Sequence, residues 1–232
     1  MRGVGGPAAG RWRATRLPGL TVRIWSPPTR TDRMLVAHDG PEYHRRGGLG
    51  RWAATAIAAG RVAPFHLALL PPGDRDEWYS ASPGYARLLT TEILPRLSPG
   101  RAVVGAGVSL GALAMLHAQR RHPARFAGLF LQSGSYFQAR LDRQESGFRY
   151  FRRITGFTTR VRHATRGPAV PAVLTCGAAE ENLANNRAMA DALRRQGYPA
   201  TLAATGGAHD WESWRDALGP HLTPLLHRIW PV

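Results

Sequence analysis

The stretch Gly107-Val108-Ser109-Leu110-Gly111 constrains the fold of this chain more than any other. It follows a short apolar run at Val103-Val104. It opens a segment, Leu110 to Arg121, that has no Gly or Pro after Gly111 and ends at His122-Pro123. That pattern is a strand, a tight turn and a helix. Glycines two residues on either side of the serine let the turn close where a side chain would strike the neighbouring strand or helix. The turn lifts the hydroxyl above the sheet edge. There the helix N-terminus and the Leu110 N–H can stabilise negative charge on a reacting carbonyl oxygen. With 26 Gly and nine Ser in 232 residues, such a pattern arises by chance on the order of once in ten chains, so its partners decide its meaning.

Short apolar runs alternate with longer helical patterns, which predicts an α/β chain built on a mostly parallel sheet with helices on both faces. The strands expected are Leu20 to Trp25, with an antiparallel edge role, then Arg33 to Ala37, Phe65 to Leu70, Arg101 to Gly105, Phe126 to Leu131, Ala172 to Cys176 and Ala200 to Ala204. Helices are expected over Leu49 to Ala59, Tyr85 to Leu97, Leu110 to Arg121, Asn182 to Arg195 and Trp211 to Ile229. A length of 232 residues fits one domain, 1–232. Residues 1–19 read as a flexible N-terminal segment. Residues 136–166 lack a clean period and hold eight Arg against Asp142 and Glu145, the profile of an insertion that covers a site or of a solvated excursion.

The formal charge of +16 would ordinarily point to a polyanion. Yet all 31 basic residues are Arg, amid abundant Ala, Gly and Pro, which matches the amino-acid usage of a GC-rich genome. No base-reading helix, aromatic ribonucleoprotein pattern or zinc-finger spacing accompanies the charge, so no nucleic-acid partner is expected. No apolar run approaches the ~20 residues that cross a bilayer, and the first twenty residues lack the apolar core of a secretory signal. With Cys176 as the single cysteine, a cytoplasmic location without membrane association is expected. No metal or organic cofactor is expected, since no ligand spacing such as H-E-x-x-H is present.

A serine hydroxyl becomes a nucleophile when a base takes its proton, and an acid orients the base and stabilises its cation. After Ser109 the chain supplies Glu180, just beyond the strand ending Leu174-Thr175-Cys176-Gly177, and then His209 in the loop Gly206 to Trp211 that follows the last strand. Both fall on the carboxyl edge, where α/β sheets collect functional groups. Glu181 competes with Glu180 for the acid, or either caps the following helix. His38 is the runner-up base, although it precedes the serine. A second oxyanion donor is expected from His38-Asp39-Gly40-Pro41-Glu42-Tyr43. Pro41 has no N–H, which leaves Gly40 or Glu42.

From about Val22 to the C-terminus the chain resembles the esterase D superfamily of α/β-hydrolases, and within it the enterochelin-esterase-like esterases. The resemblance rests on His38-Asp39-Gly40, on Gly107 to Gly111, on Gly177-Ala178-Ala179-Glu180 with Asn186 beyond, and on Gly207-Ala208-His209-Asp210-Trp211 followed by Trp214. It implies the α/β-hydrolase fold and a Ser109-Glu180-His209 triad. It favours Glu180, because the family's acid stands three residues after the strand-ending glycine. It also implies that Arg75, Glu77 and Tyr79, in Arg75-Asp76-Glu77-Trp78-Tyr79-Ser80, lie near an acyl pocket and bind substrate. Two departures are Pro41, where relatives often carry an oxyanion donor, and the short sequence, in which the N-terminal substrate domain of true enterochelin esterases is not expected. Siderophore hydrolysis is therefore not carried over.

The expectation is a serine hydrolase acting on small carboxylic esters through an acyl-enzyme. Acyl transfer on the same fold, as in mycolyltransferases, and a non-catalytic binding protein are the alternatives. If the eight arginines of 136–166 border the pocket, anionic esters should be drawn to it electrostatically.

Overall fold

The computed structural model describes residues 10–232. The strands are β1 (Arg11–Leu17), β2 (Leu20–Ser26), β3 (Met34–Ala37), β4 (His66–Leu69), β5 (Val103–Val108), β6 (Phe126–Gln132), β7 (Ala172–Gly177) and β8 (Ala200–Thr205). They form one sheet in the order β1-β2-β4-β3-β5-β6-β7-β8. β2 pairs antiparallel with β1 and β4, and every pair from β4 to β8 is parallel.

Parallel strands covered on both faces read as continuous apolar runs. All of Met34 to Ala37 and Val103 to Val108 are buried accordingly. Alternate side chains feed two cores. Met34, Val36, Val103, Leu129 and Leu174 pack on one side with Leu113, Met115, Ile154 and Leu193; Leu35, Ala37, Val104, Ala106 and Phe130 pack on the other with Leu49, Ala53, Leu218 and Leu222.

The helices that position the site are α1 (Gly40–Arg45), α2 (Leu49–Ala58), α3 (Arg75–Tyr79), α4 (Pro83–Arg87), α5 (Leu94–Leu97), α6 (Leu110–Arg121), α7 (Phe151–His163), α8 (Leu183–Arg195), α9 (Trp211–Asp216) and α10 (Thr223–Ile229). A π-helical turn at Leu88–Ile93 joins α4 to α5, and another at Leu218–Leu222, with Pro220 at its middle, separates α9 from α10. The single helix expected over Trp211 to Ile229 is thus broken.

Two other expectations are corrected. The segment read as flexible contains β1, which pairs along its whole length with β2 from Arg11↔Ser26 to Leu17↔Leu20, so β1 and not β2 is the sheet edge. Residues 1–9 of that segment lie outside the described residues. The stretch 136–166 holds a regular helix, α7, whose buried side carries Phe151, Ile154, Thr155, Phe157, Thr158 and Val161. Threonines on the buried face and arginines around it conceal the helical period.

Among the described residues no helix is long and apolar enough to cross a membrane.

Candidate active site

The chain turns abruptly at Ser109, which sits at φ 53°, ψ −124° between β5 and α6. A non-glycine residue there is strained, and such strain persists only where the surroundings over-determine it. Close packing over-determines this one. A Cβ on Gly107 would lie 2.5 Å from the Gly111 backbone, and one on Gly111 would lie 3.1 Å from His38 Cβ. The Ser109 N–H donates to Gln132 O at 2.9 Å, tying the turn to β6. Leu110 N–H, in the first turn of α6, meets no acceptor among the described residues and points its dipole end at this corner.

Positive φ recurs beyond the ends of β3 and β6. Asp39 (φ 49°) and Ser133 (φ 47°) lie just beyond them. The loop Ser133-Gly134-Ser135 is pinned on both faces. Asn186 donates to Gly134 O and accepts from Gly134 N–H, both at 3.0 Å, while Asn182 Nδ2 donates to Ser133 O. The loop ends at Ser135, whose Oγ lies 3.1 Å from Ser109 Oγ.

Glu180 and His209 meet above β7 and β8. His209 Nδ1–H donates to Glu180 Oε2 at 2.7 Å. Glu180 Oε1 accepts from Ser133 Oγ and from the Gly177 N–H, each at 2.7 Å, and Trp214 Nε1 donates to Ser133 Oγ at 2.9 Å. Burial of Glu180 pushes its pKa upward, but the bonds from His209, Ser133 and Gly177 outweigh burial and hold the carboxyl below its ordinary value. Its side chain is 4% exposed and that of His209 45%. His209 stands edge-on to Trp214 at 5.0 Å between ring centroids, and its Nε2 has no partner among the described residues.

A cavity of about 430 Å³ brings these parts together. It is lined by Ser109, Leu110 and Ser135 on one side, Asn182, Glu181 and His209 on another, and Phe137, Asp142, Gln144, Glu145 and Phe148 from the segment 136–166. Ser109 and His209 therefore share one cavity, although the Ser109 hydroxyl is bonded to Ser135 rather than to the imidazole. Catalytic hydrogen bonds are often loose before substrate binds. Glu180 is placed against His209, whereas Glu181 faces the cavity. None of the eight arginines of 136–166 lines the cavity. Arg153, for example, turns away to Glu77 and the Ser80 carbonyl.

The segment after β3 lies beneath the elbow and does not line this cavity. Gly40 N–H donates to Leu70 O at 2.9 Å and is not free for an oxyanion. Glu42 sits in α1, paired with Arg45. The trio expected near the acyl pocket does not line the cavity either, and each member is bonded to another residue. Arg75 forms a two-pronged ion pair with Asp39 at 2.9 Å, Glu77 accepts from Arg153, and Tyr79 is fully buried, stacked on His38, with its hydroxyl accepting from Asp39 N–H. His38 is also consumed: Nδ1–H donates to Gly111 O at 2.9 Å and Nε2 accepts from Tyr85 at 2.8 Å. Burial drives its pKa down to about 4, against the pull of the Gly111 carbonyl and Asp39.

Sequence reading missed the Ser133 and Ser135 hydroxyls. The available signal was a Ser-Gly-Ser turn following a buried strand on the functional edge of the sheet.

Residues 19–225 match the family described as "Putative esterase". The chain belongs to this esterase family. No curated protein matches this sequence. The esterase is similar to a solved ferulic acid esterase with 19% identity and a TM-score of 0.76, over 96% of this chain and 98% of that one. It is also similar to an enterochelin esterase from Shigella flexneri, with 21% identity and a TM-score of 0.73, over 97% of this chain and 61% of that one. A third similar structure is an S-formylglutathione hydrolase from Staphylococcus aureus, with 15% identity and a TM-score of 0.64, over 95% of this chain and 98% of that one. These likenesses establish the α/β-hydrolase fold. The esterase spans about three fifths of the enterochelin esterase's length.

Proposed function

We propose that the esterase hydrolyses carboxylic esters through an acyl-enzyme formed on Ser109, with His209 as base and Glu180 as its acid. The observation that carries this reading is the 2.7 Å bond from Glu180 to His209, whose imidazole lines the cavity that also exposes a strained Ser109. Because Nδ1 carries the proton shared with Glu180, Nε2 is the lone pair turned to substrate.

Ser109 Oγ attacks the carbonyl carbon and its proton passes to His209 Nε2. The carbonyl electron pair moves to oxygen, where Leu110 N–H and the N-terminus of α6 stabilise it. Collapse breaks the bond to the alkoxide leaving group, which takes the proton from the imidazolium. Water then attacks the acyl-enzyme by the same route, His209 acting first as base and then as acid, and the carboxylic acid leaves. Glu180 stays ionised throughout; the hydrogen bonds that lower its pKa keep it so.

In this reading 136–166 forms one wall of the acyl site within a single domain. Phe137 and Phe148 supply apolar surface for an acyl chain or aromatic acid.

Turnover of p-nitrophenyl acetate and labelling by a fluorophosphonate test it directly. Wild type should turn over and label with one equivalent, and Ser109→Ala should do neither while keeping its circular dichroism. Labelling of Ser109→Ala at wild-type stoichiometry would overturn the assignment.

A further inference from the structure

The structure leaves the stabilisation of the tetrahedral intermediate one donor short. Acyl transfer uses two donors aimed at the developing oxyanion, and at the elbow Leu110 lines the cavity with its N–H free of any acceptor among the described residues, whereas Gly111 and Glu42 do not line it. Asp39 N–H is spent on Tyr79 Oη at 3.2 Å, Gly40 N–H on Leu70 O at 2.9 Å, and Pro41 has none. No residue from His38 to Tyr43 lines the cavity. Asn182 also lines the cavity, but one Nδ2 proton goes to Ser133 O and neither Asn182 polar atom bonds Ser109 or Ser135.

We propose that the Ser135 hydroxyl is the second oxyanion donor, a further catalytic residue of the hydrolytic reaction described above, on which this inference rests. Four observations converge on it. Its Oγ is 3.1 Å from Ser109 Oγ, and the oxyanion is separated from that atom only by the carbon to which both are bonded. It lines the cavity, so its proton can face substrate. It is 5% exposed, so water competes weakly for it. It has no side-chain partner among the described residues other than Ser109.

Its backbone is fixed while its hydroxyl is free. Ser135 N–H donates to Ser109 O at 3.3 Å, and the preceding peptide is held on both faces by Asn186. A rotation of the hydroxyl therefore suffices to move the hydrogen bond, and preorganised donors of this kind cost little reorganisation as charge develops. At rest the hydroxyl contacts Ser109 Oγ. As the Ser109 Oγ–carbon bond forms, Oγ becomes an ether-like oxygen and a poor acceptor. The carbonyl π pair becomes a lone pair on the oxyanion, and Ser135 Oγ–H turns to it. Ser135 keeps its proton throughout; the proton of Ser109 goes to His209 and then to the departing alcohol.

The test compares Ser135→Ala, Ser135→Cys and Ser135→Thr with wild type on p-nitrophenyl butyrate and on a trifluoromethyl ketone that adds reversibly to serine. Removing one oxyanion donor costs about 10² to 10³ in kcat. Ser135→Ala and Ser135→Cys should lose kcat on that scale with KM within about threefold, and ketone affinity should fall in parallel with kcat/KM. Ser135→Thr, which keeps the hydroxyl, should recover a large part of both. A purely structural role would weaken thermal stability without coupling ketone affinity to kcat/KM.

Retention of kcat within about threefold in Ser135→Ala or Ser135→Cys would overturn the proposal, as would a threonine variant no better than alanine. If Ser135→Ala fails to fold, Ser135→Cys, nearly isosteric, carries the test. Failure of the hydrolytic reading shows separately, as undiminished turnover or labelling in Ser109→Ala.

Discussion

Two histidines stand at the carboxyl edge of the sheet, one after β3 and one after β8, and their surroundings assign them opposite work. His38 is fully buried, with both ring nitrogens bonded, and its proton affinity is pressed down to about pH 4. It holds the first turn of α6 by its bond to Gly111 O. His209 is half-exposed, with one nitrogen on a carboxylate and the other open to a cavity that contains Ser109. A histidine able to exchange protons needs one free lone pair and a route to substrate. The comparison shows that position on the sheet edge selects candidates and that the local hydrogen bonds choose between them.

The sharpest way to break this comparison is to exchange activity against stability. His209→Ala should lower kcat by on the order of 10⁶ with little change in the unfolding midpoint. His38→Gln should keep kcat within about tenfold but leave groups at Gly111 or Tyr85 imperfectly paired, a cost of about 1–3 kcal/mol. For a chain of this size that lowers Tm by roughly 2–4 °C per kcal/mol. A folded His38→Gln with no activity beside an active His209→Ala would reverse the two roles.

The acid can be tested one residue at a time. Glu180→Gln should retain more activity than the Ser109 or His209 variants, since loss of a triad acid costs on the order of 10⁴. Glu181→Gln should stay within a fewfold of wild type. Kinetics of the pair at pH 7 decide between them, and a more damaging Glu181→Gln would move the acid by one position.

Protonation separates the histidines by stability. The folded-state pKa of His38 lies below its ordinary 6.5, so the unfolded chain binds the proton more readily. The stability His38 contributes is complete above pH 6.5 and is lost as the pH falls toward about 4. A shift of that size corresponds to about 3 kcal/mol. His117, also driven to about 4 by burial and neighbouring arginines, adds to the same window. Urea midpoints should fall steadily from pH 7 to pH 4.5, and less steeply in His38→Gln; equal slopes would show that His38 does not titrate in this way.

The parts of the molecule legible in the sequence are those in which backbone geometry and chemistry coincide. Gly107 and Gly111 mark the elbow because a side chain there would collide with backbone or with His38. Glu180 follows a strand-ending Gly177 whose own N–H the carboxylate accepts. What escaped depends on contacts between distant segments. Arg75 and Glu77 are as polar as any substrate ligand, yet Asp39 and Arg153, 36 and 76 residues away, claim them. Ser135 matters only because β5 and β6 are neighbours, bringing together residues 26 apart. β1 was missed because its polar, exposed pattern lacks an apolar run.

The smallest expected effect concerns charge at the cavity itself. The anionic-ester preference expected from the arginines of 136–166 needs them beside the substrate, and instead Asp142, Glu145 and Glu181 line the cavity. Asp142 is occupied by Gln138 N–H and Asn185, whereas Glu145 and Glu181 form no ion pair among the described residues. The local field should therefore favour a cationic ester over a matched anionic one, despite a net charge of +16. Because the Debye length is ~10 Å at 0.1 M and ~3 Å at 1 M, the preference should shrink over that range of salt. Glu145→Gln and Glu181→Gln should each reduce it by a fewfold at low salt without changing kcat for a neutral ester. A larger kcat/KM for the anionic ester at low salt, falling as salt is added, would instead return the arginines of 136–166 to a part in substrate choice.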